Sequence, residues 1–415
     1  MDPTLFLLAV ATITGLYMAW NIGANDVANA MGTSVGSGAL TLRRAIIVAA
    51  IFEFSGALLA GGSVTSTIRK GIVDVSAIGG DAMVLATGMT CCLLAAAIWL
   101  NLATYMGWPV STTHSIVGAV VGFGLIAGGL DAINWGTVAK VVASWVVSPL
   151  MGGVIAYVLF IFLKKNILTA EKPLLQMRAW GPVMVFPIFA LLSLAMMFKG
   201  LKPLKLDLDF DAAGLIAMAI GTLAVIVAVP LFRHLTQRVE GLSVDESMRR
   251  TERVFLVLQV MTACFVAFAH GSNDVANAVG PLAAVFGALR EGVTAEVEVP
   301  LNMLIIGAVG IVVGLSTYGY KVMATIGEEI TELTPSRGFT AEFAAATTIM
   351  LASKLGLPVS TTHTLVGSVV GVGFARSLAA INIQVLKGIV ASWFITVPFT
   401  ALLAAILYLL ASLML

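Results

Sequence analysis

Two nearly identical polar segments stand out in this chain: GANDVANA begins at Gly23 and GSNDVANA begins at Gly271. Each segment holds one carboxylate and two amides, spaced three and four residues apart, so a helix would present them on neighbouring positions of one face. Their oxygens suit a compact hard cation, and their amide N–H groups suit an oxyanion. A helix cap is the simpler interpretation of a single copy. The residues concerned are Asn25, Asp26, Asn29, Asn273, Asp274 and Asn277.

A second pair of segments shares the core PVSTTH, which begins at Pro109 and at Pro358. Proline breaks or starts a helix, so the hydroxyl residues after it would occupy an N-terminal helical turn. Free backbone N–H groups, the positive end of the helix dipole and hydroxyl donors form an oxyanion site without Lys or Arg. Two such turns would hold a tetrahedral anion from both sides. The hydroxyl residues are Ser111, Thr112, Thr113, Ser360, Thr361 and Thr362.

His114 and His363 end the two PVSTTH cores. A histidine can carry a proton near neutral pH, but a packed ring bonded to backbone is the simpler interpretation. The glycines that follow have GxxxG spacing, which predicts close helix packing. They are Gly118, Gly122, Gly367 and Gly371.

Composition indicates the class of protein. Of the 415 residues, 59% are hydrophobic and 11% are charged, and the mean hydropathy is +1.01. Such a chain is a polytopic membrane protein, embedded in a lipid bilayer. The net charge of +1 and the lack of a basic tract give no indication of nucleic-acid binding. Apolar runs of about 20 residues predict an all-α fold with about twelve transmembrane segments.

The duplicated motifs predict an inverted repeat. The first five predicted spans match the last five, which divides the chain into a first repeat (1–163), a central insert of two spans (164–250) and a second repeat (251–415). The displacement is an odd number of spans, so the repeats should have opposite orientations. Paired polar motifs in inverted repeats predict a substrate site where the repeats meet, lined by broken or re-entrant helices. We therefore expect the first span (4–22) and the eighth (253–270) to be interrupted at the NDVAN motifs, with a half-helix starting near Asn25.

Basic residues predict the orientation in the membrane. Most Lys and Arg residues, including Arg43 and Arg44, fall in loops after odd-numbered spans. The positive-inside rule makes these loops cytoplasmic and both termini extracytoplasmic. We expect a multi-pass protein of the cell membrane, that is, the plasma or inner membrane.

The charges of the two motifs favour coupled transport. Asp26 and Asp274 bring up to two negative charges to one poorly solvated place, and a phosphate-like anion would add more. Neither motif contains Lys or Arg. Mobile cations must therefore bind with the anion, as in a cation-coupled symporter.

The duplicated GxNDVANA and GxPVSTTH motifs resemble those of the PiT inorganic phosphate transporter family. This resemblance implies two inverted repeats and phosphate symport with sodium or protons by alternating access. It marks Asp26, Asp274, Glu53, Glu342, Ser111 and Ser360 as transport residues, and His114 and His363 remain candidates beside them. Glu53 and Glu342 are also ionisable groups in apolar runs, which are usually functional.

We expect sodium to be the coupling ion. The NDVAN motifs offer enough hard oxygen to replace the hydration shell of a cation, with Asp26, Asn29, Asp274 and Asn277 as ligands. No organic cofactor is expected. The Gly-rich faces could pack a homodimer, but they could equally serve internal packing.

Several alternatives stay open at this point. Proton coupling, transport of a metal phosphate, and a sulfate or other oxyanion permease all fit the same hydroxyl-rich helix ends. An ion channel fits a closed, carboxylate-rich site less well than alternating access does. An intramembrane hydrolase would need two active sites from the duplicated motif, so we do not expect an enzyme.

Overall fold

The computed structural model describes residues 2–62, 64–65, 71–200, 209–237, 241–292, 299–324, 333–377 and 381–413. Within these ranges the chain is helical, apart from loops and one isolated antiparallel bridge between Val73 and Ile133. The α-helices in chain order are α1 (Pro3–Gly36), α2 (Leu42–Ala60), α3 (Ala82–Tyr105), α4 (Thr112–Gly128), α5 (Trp135–Leu163), α6 (Pro173–Gly200), α7 (Phe210–Leu235), α8 (Val244–Glu291), α9 (Leu301–Thr317), α10 (Tyr320–Ala324), α11 (Pro335–Lys354), α12 (Thr361–Arg376) and α13 (Ile383–Ser412).

The helices confirm the predicted all-α membrane fold. Among the described residues, seven helices are long and apolar enough to cross a membrane, and α4 and α9 are shorter apolar helices. Large aliphatic side chains are exposed along α5, α7 and α13, for example Val154, Leu223 and Leu402. These outward faces suit lipid contact, whereas the middle of α1 and of α8 is buried.

The predicted interruption near Asn25 is wrong. Helix α1 continues through the first NDVAN motif, and α8 continues through the second. The glycines of these motifs allow close approach instead of breaking the helix. A Cβ atom at Gly23 would collide with the backbone carbonyl of Ile311 on α9, and one at Gly271 would collide with that of Glu53 on α2.

The other predicted helix starts are confirmed. Helices α4 and α12 begin just after Pro109 and Pro358, with Ser111 and Ser360 as their N-caps. At 17 and 16 residues, these helices are about 25 Å long, which is less than the roughly 30 Å hydrocarbon core. They therefore place helix N-termini inside the protein.

Helices α3 and α4 form a hairpin. The Asp74 N–H donates to the carbonyl of Ala132 (2.8 Å) and the Asn134 N–H donates to that of Ile72 (2.9 Å). The chain entering α3 thus lies beside the chain leaving α4. The closed end of the hairpin, which contains Val110, is directed toward α1.

The two halves of the chain pack reciprocally. Helix α1 packs on α9 as α8 packs on α2, and α4 packs on α13 as α12 packs on α5. The GxxxG glycines mediate the second set of contacts, as predicted. A Cβ atom at Gly122 would collide with the carbonyl of Ala401, and one at Gly371 with that of Gly153.

The insert forms a separate pair of helices, because α6 packs along α7 and touches α8 and α2.

Reciprocal contacts between the two halves are those that two equivalent units make across a two-fold axis. The division into repeats at 163 and 250 stays a prediction.

Candidate functional site

The NDVAN faces of α1 and α8 meet the N-terminal turns of α4 and α12 in the interior. The Asn29 amide on α1 donates to the Thr362 hydroxyl on α12 (2.8 Å). In the same way, the Asn277 amide on α8 donates to the Thr113 hydroxyl on α4 (3.2 Å). All four side chains are buried. Each half of the chain thus brings its amide to the hydroxyl of the other half.

The two aspartates lie among these donors. The Thr361 hydroxyl donates to Asp274 Oδ2 (2.8 Å), and the Thr362 hydroxyl lies 3.5 Å from Asp26 Oδ1. Amides on the next turn also donate to the carboxylates, from Asn29 to Asp26 (3.1 Å) and from Asn277 to Asp274 (3.2 Å). The predicted set of carboxylates, amides and hydroxyls therefore converges. The Thr112 hydroxyl completes it by accepting from the Asn277 amide (3.2 Å).

Asn25 and Asn273 hold the turns that precede α4 and α12. The Asn25 amide donates to the Trp108 carbonyl (3.1 Å), and its oxygen accepts from the Val110 N–H (3.3 Å). The Asn273 amide donates to the Val359 carbonyl (2.9 Å). These two amides position the turns that precede α4 and α12, and the predicted contact of Asn25 and Asn273 with the substrate stays a prediction.

Ser111 and Ser360 cap their helices. Ser111 Oγ accepts from the His114 N–H (3.2 Å), and Ser360 Oγ accepts from the His363 N–H (3.1 Å). A capping hydroxyl uses an oxygen lone pair and keeps its proton for another acceptor. The capping role is therefore compatible with a bond to an anion.

His270 is a central residue of the site that the sequence analysis missed. Its Nε2 lies 2.9 Å from Asp274 Oδ2 and 3.7 Å from Asp26 Oδ2, and its Nδ1 lies 3.2 Å from Glu53 Oε2. All four side chains are fully buried. The structure thus joins Glu53 to the two aspartates through an imidazole ring. A protonated ring would balance one of the three carboxylates.

The sequence did contain a signal for His270. It immediately precedes GSNDVANA, and Ile22 precedes GANDVANA at the matching position. Glu53 also has no polar equivalent in the other half. It contacts Gly271, and the residue that contacts Gly23 in the equivalent way is Ile311. A polar residue that replaces an aliphatic one in an otherwise repeated pattern is a reason to look for a function that only one half performs.

The site could hold a cation. One ligand atom from each of Asp26, His270 and Asp274 lies within 4.8 Å of the others. Asp26 Oδ2 and the carbonyl oxygens of Asn29 and Asn277 are buried and have no hydrogen-bond partner among the described residues. Buried acceptors without donors are rare in folded proteins and suit an added cation. The oxygens fit sodium better than the imidazole nitrogen does.

Glu342 lies in a different cluster. Its Oε1 accepts from Thr33 and Ser34 of α1 (both 2.6 Å) and from Gln259 Nε2 of α8 (3.2 Å), and its Oε2 accepts from Thr262 (2.7 Å). These donors are all neutral. Glu342 therefore links α11 to α1 and α8 without contacting the aspartates, and its predicted role in transport stays a prediction.

His114 and His363 form a buried aromatic cluster. The ring centroids are 4.3 Å apart in an edge-on arrangement. His114 packs on Trp145 (3.7 Å) and His363 on Trp393 (3.5 Å). The rings are packed as the simpler interpretation expects, but neither ring nitrogen of His114 and not Nε2 of His363 has a hydrogen-bond partner among the described residues. A proton-carrying role stays a prediction.

Comparisons with known proteins show the family of this chain. Residues 22–404 match the sequence profile of the phosphate transporter family. An inorganic phosphate transporter of Arabidopsis thaliana, described as chloroplastic, is 47% identical over 96% of this chain and 71% of its own length. A putative phosphate permease of Pyrococcus abyssi is 46% identical over 98% of both chains. A solved structure described as the sodium-dependent phosphate transporter is 42% identical, with a TM-score of 0.91 over 99% of this chain and 100% of the other.

Proposed function

Because this chain belongs to the phosphate transporter family, we propose that it imports inorganic phosphate by symport with sodium ions through alternating access. One observation carries the proposal. Hydroxyls on the N-terminal turns of α4 and α12 share one buried site with the aspartates of α1 and α8. An anion and cations can therefore bind in contact with each other.

The anion part of the site is formed by helix ends. Thr112, Thr113, Thr361 and Thr362 lie in first turns, where backbone N–H groups lack intrahelical acceptors and the helix dipole is positive. These donors come from two helices in reciprocal positions. They would bind a tetrahedral oxyanion from two sides without adding a fixed positive charge.

The cation part follows from the charge balance. Asp26, Asp274 and Glu53 surround one imidazole, so negative charge remains even when His270 is protonated. Phosphate adds about one to two negative charges at neutral pH. Burial makes such an excess costly, so we expect more than one sodium ion for each phosphate. Asp26, Asn29, Asp274 and Asn277 provide the oxygen ligands.

A second candidate is proton coupling, and His270 is the observation that favours it. The ring contacts carboxylates through both nitrogens, so it could hold a proton inside the site. In that case His270 would carry the coupling proton. The hard-oxygen ligands favour sodium, as does the similarity to a solved structure described as a sodium-dependent phosphate transporter.

The location follows from the fold and the charges. The chain is a multi-pass membrane transporter, and its relatives are named transporters and permeases rather than enzymes. We place it in the cell membrane, with both termini extracytoplasmic, because the basic residues concentrate in the predicted cytoplasmic loops.

The deciding experiment is uptake of radiolabelled phosphate into proteoliposomes, with the sodium and proton gradients varied separately. We expect uptake at fixed pH to rise steeply with sodium concentration, with a Hill coefficient above one. Uptake that ignores sodium and collapses with the pH gradient would establish proton coupling. Equal competition by sulfate would indicate a general oxyanion permease, and steady conductance without substrate would indicate a channel.

A further inference from the structure

A narrow cavity lies beside the site, between α2, α6, α8 and α11. Its volume is about 50 Å³, and its lining includes Ala60, Leu191, Ser272, Ser353 and Lys354. Ser272 is next to Asn273 in the chain, and the Ser353 hydroxyl donates to Asn273 Oδ1 (3.3 Å). The lining therefore extends from Ser272, the chain neighbour of a site residue, to the exposed side chain of Lys354.

The reciprocal position in the other half is occupied by aromatic side chains. Asn25 is hydrogen-bonded to Thr104 of α3, and Asn273 is hydrogen-bonded to Ser353 of α11. Because Asn25 and Asn273 are equivalent, Thr104 corresponds to Ser353 and α3 corresponds to α11. By the same correspondence, Tyr105 of the first half is at the position equivalent to Lys354 of the second half.

Helices α2 and α9 correspond in the same manner. A Cβ atom at Gly56 of α2 would collide with the carbonyl of Phe268 on α8, and one at Gly314 of α9 would collide with that of Trp20 on α1. Gly56 therefore corresponds to Gly314. Tyr318 therefore stands where Ala60 stands, and it stacks on Trp20 at 5.7 Å between centroids. An alanine and a lysine border the cavity on one side of the site, whereas two tyrosines occupy the matching places on the other.

Electrostatics gives Lys354 a role in this position. The site contains Asp26, Asp274 and Glu53, so an approaching phosphate is repelled until cations have bound. A basic group at the mouth of a low-dielectric passage offsets this repulsion and raises the local anion concentration. Among the described residues that line the cavity, Lys354 is the charged one.

We propose that this cavity is the route by which phosphate reaches the site, and that Lys354 recruits the anion at its mouth. The inference rests on the proposed phosphate symport. At about 50 Å³ the cavity has room for water, so the passage of phosphate requires the α6 wall at Leu191 to move aside. The C-terminal end of α2 faces the predicted extracytoplasmic side, which is the entry side for import.

The first test separates recruitment from folding. Sodium-driven phosphate uptake is measured for wild type, Lys354→Gln, Lys354→Arg and the control Lys140→Gln, which removes an exposed lysine near the start of α5. At low ionic strength, Lys354→Gln should raise KM for phosphate about fivefold with little change in kcat. High ionic strength at constant sodium should shrink the difference, because salt screens an exposed charge. Lys354→Arg and Lys140→Gln should retain the wild-type KM.

The second test uses the charge of a thiol reagent, in a background with Cys264→Ala. Lys354→Cys is labelled from outside with membrane-impermeant reagents. A cationic reagent should restore a low KM, an anionic reagent should raise it further, and excess phosphate should slow labelling. A merely structural lysine would show no such dependence on the sign of the charge.

The outcomes are distinguishable from failure of the proposed function. A wild-type protein that takes up no phosphate with sodium would reject the symport itself. Wild-type uptake combined with an unchanged KM in Lys354→Gln at low ionic strength would overturn the role of Lys354. Equal effects of both thiol reagents, or labelling that phosphate leaves unchanged, would overturn the route.

Discussion

The amide of Asn29 on α1 donates to the hydroxyl of Thr362 on α12 across 2.8 Å. These residues are far apart in the chain, and the bond links the NDVAN motif of the first half to the PVSTTH motif of the second. The bond from Asn277 to Thr113 links the NDVAN motif of the second half to the PVSTTH motif of the first. Under the proposed symport, binding of either ion at the site would act on both halves at once, which would couple the two ions.

The aspartates provide the first prediction. Asp26→Asn and Asp274→Asn should each abolish sodium-coupled phosphate uptake, because loss of a carboxylate weakens cation binding and, through linkage, anion binding. Uptake into proteoliposomes and size-exclusion profiles of the purified variants check this. Asp81→Asn is a matched control, since Asp81 is exposed and caps α3. Folded Asp26 and Asp274 variants that transport at the wild-type rate would show that these carboxylates are structural.

His270 provides the second prediction. His270→Gln should reduce phosphate uptake by about tenfold or more, because Asp26, Asp274 and Glu53 would lose the group that offsets their repulsion. Uptake at several sodium concentrations would also show a changed sodium requirement. The control is Ile22→Leu at the matching position of the first half. Wild-type uptake and an unaltered sodium curve in His270→Gln would contradict the central role of the ring.

Packing of the GxxxG glycines provides the third prediction. Gly371→Ala should destabilise the protein by about 1–3 kcal/mol, because its Cβ atom would collide with the carbonyl of Gly153 on α5. Gly388→Ala is the matched control, since a Cβ atom there meets no atom within 4 Å. Thermal unfolding in detergent measures both variants. Equal melting temperatures would show that α12 and α5 can separate without cost.

Orientation provides the fourth prediction. Single cysteines placed at Arg43 and at Arg290 should be labelled from opposite sides of the membrane, because the predicted inverted repeats would give α1 and α8 opposite orientations. Impermeant thiol reagents applied to right-side-out and inside-out vesicles check this. Labelling of both positions from the same side would reject the inverted layout and the proposed entry side.

The sequence by itself determined the class of protein, its duplication and most of the site. Apolar composition decides that the chain lies in a membrane, and polar residues that recur at membrane depth, such as Asp26 and Asp274, are costly unless they serve a site. Local rules also gave the starts of α4 and α12. A proline followed by a hydroxyl cap restricts the backbone within a few residues, so no distant contact is needed to specify it.

Only the tertiary structure decided how the motifs are used. Gly23 and Gly271, which begin the two polar segments, were compatible with a helix break or with a close helix crossing. The neighbouring helices at Ile311 and Glu53 select the crossing. The sequence alone did not single out His270, yet its ring contacts three carboxylates from three helices. Glu342, in contrast, belongs to a separate cluster. Spacing along one helix fixes which side chains share a face, but their partners depend on the packing of distant segments.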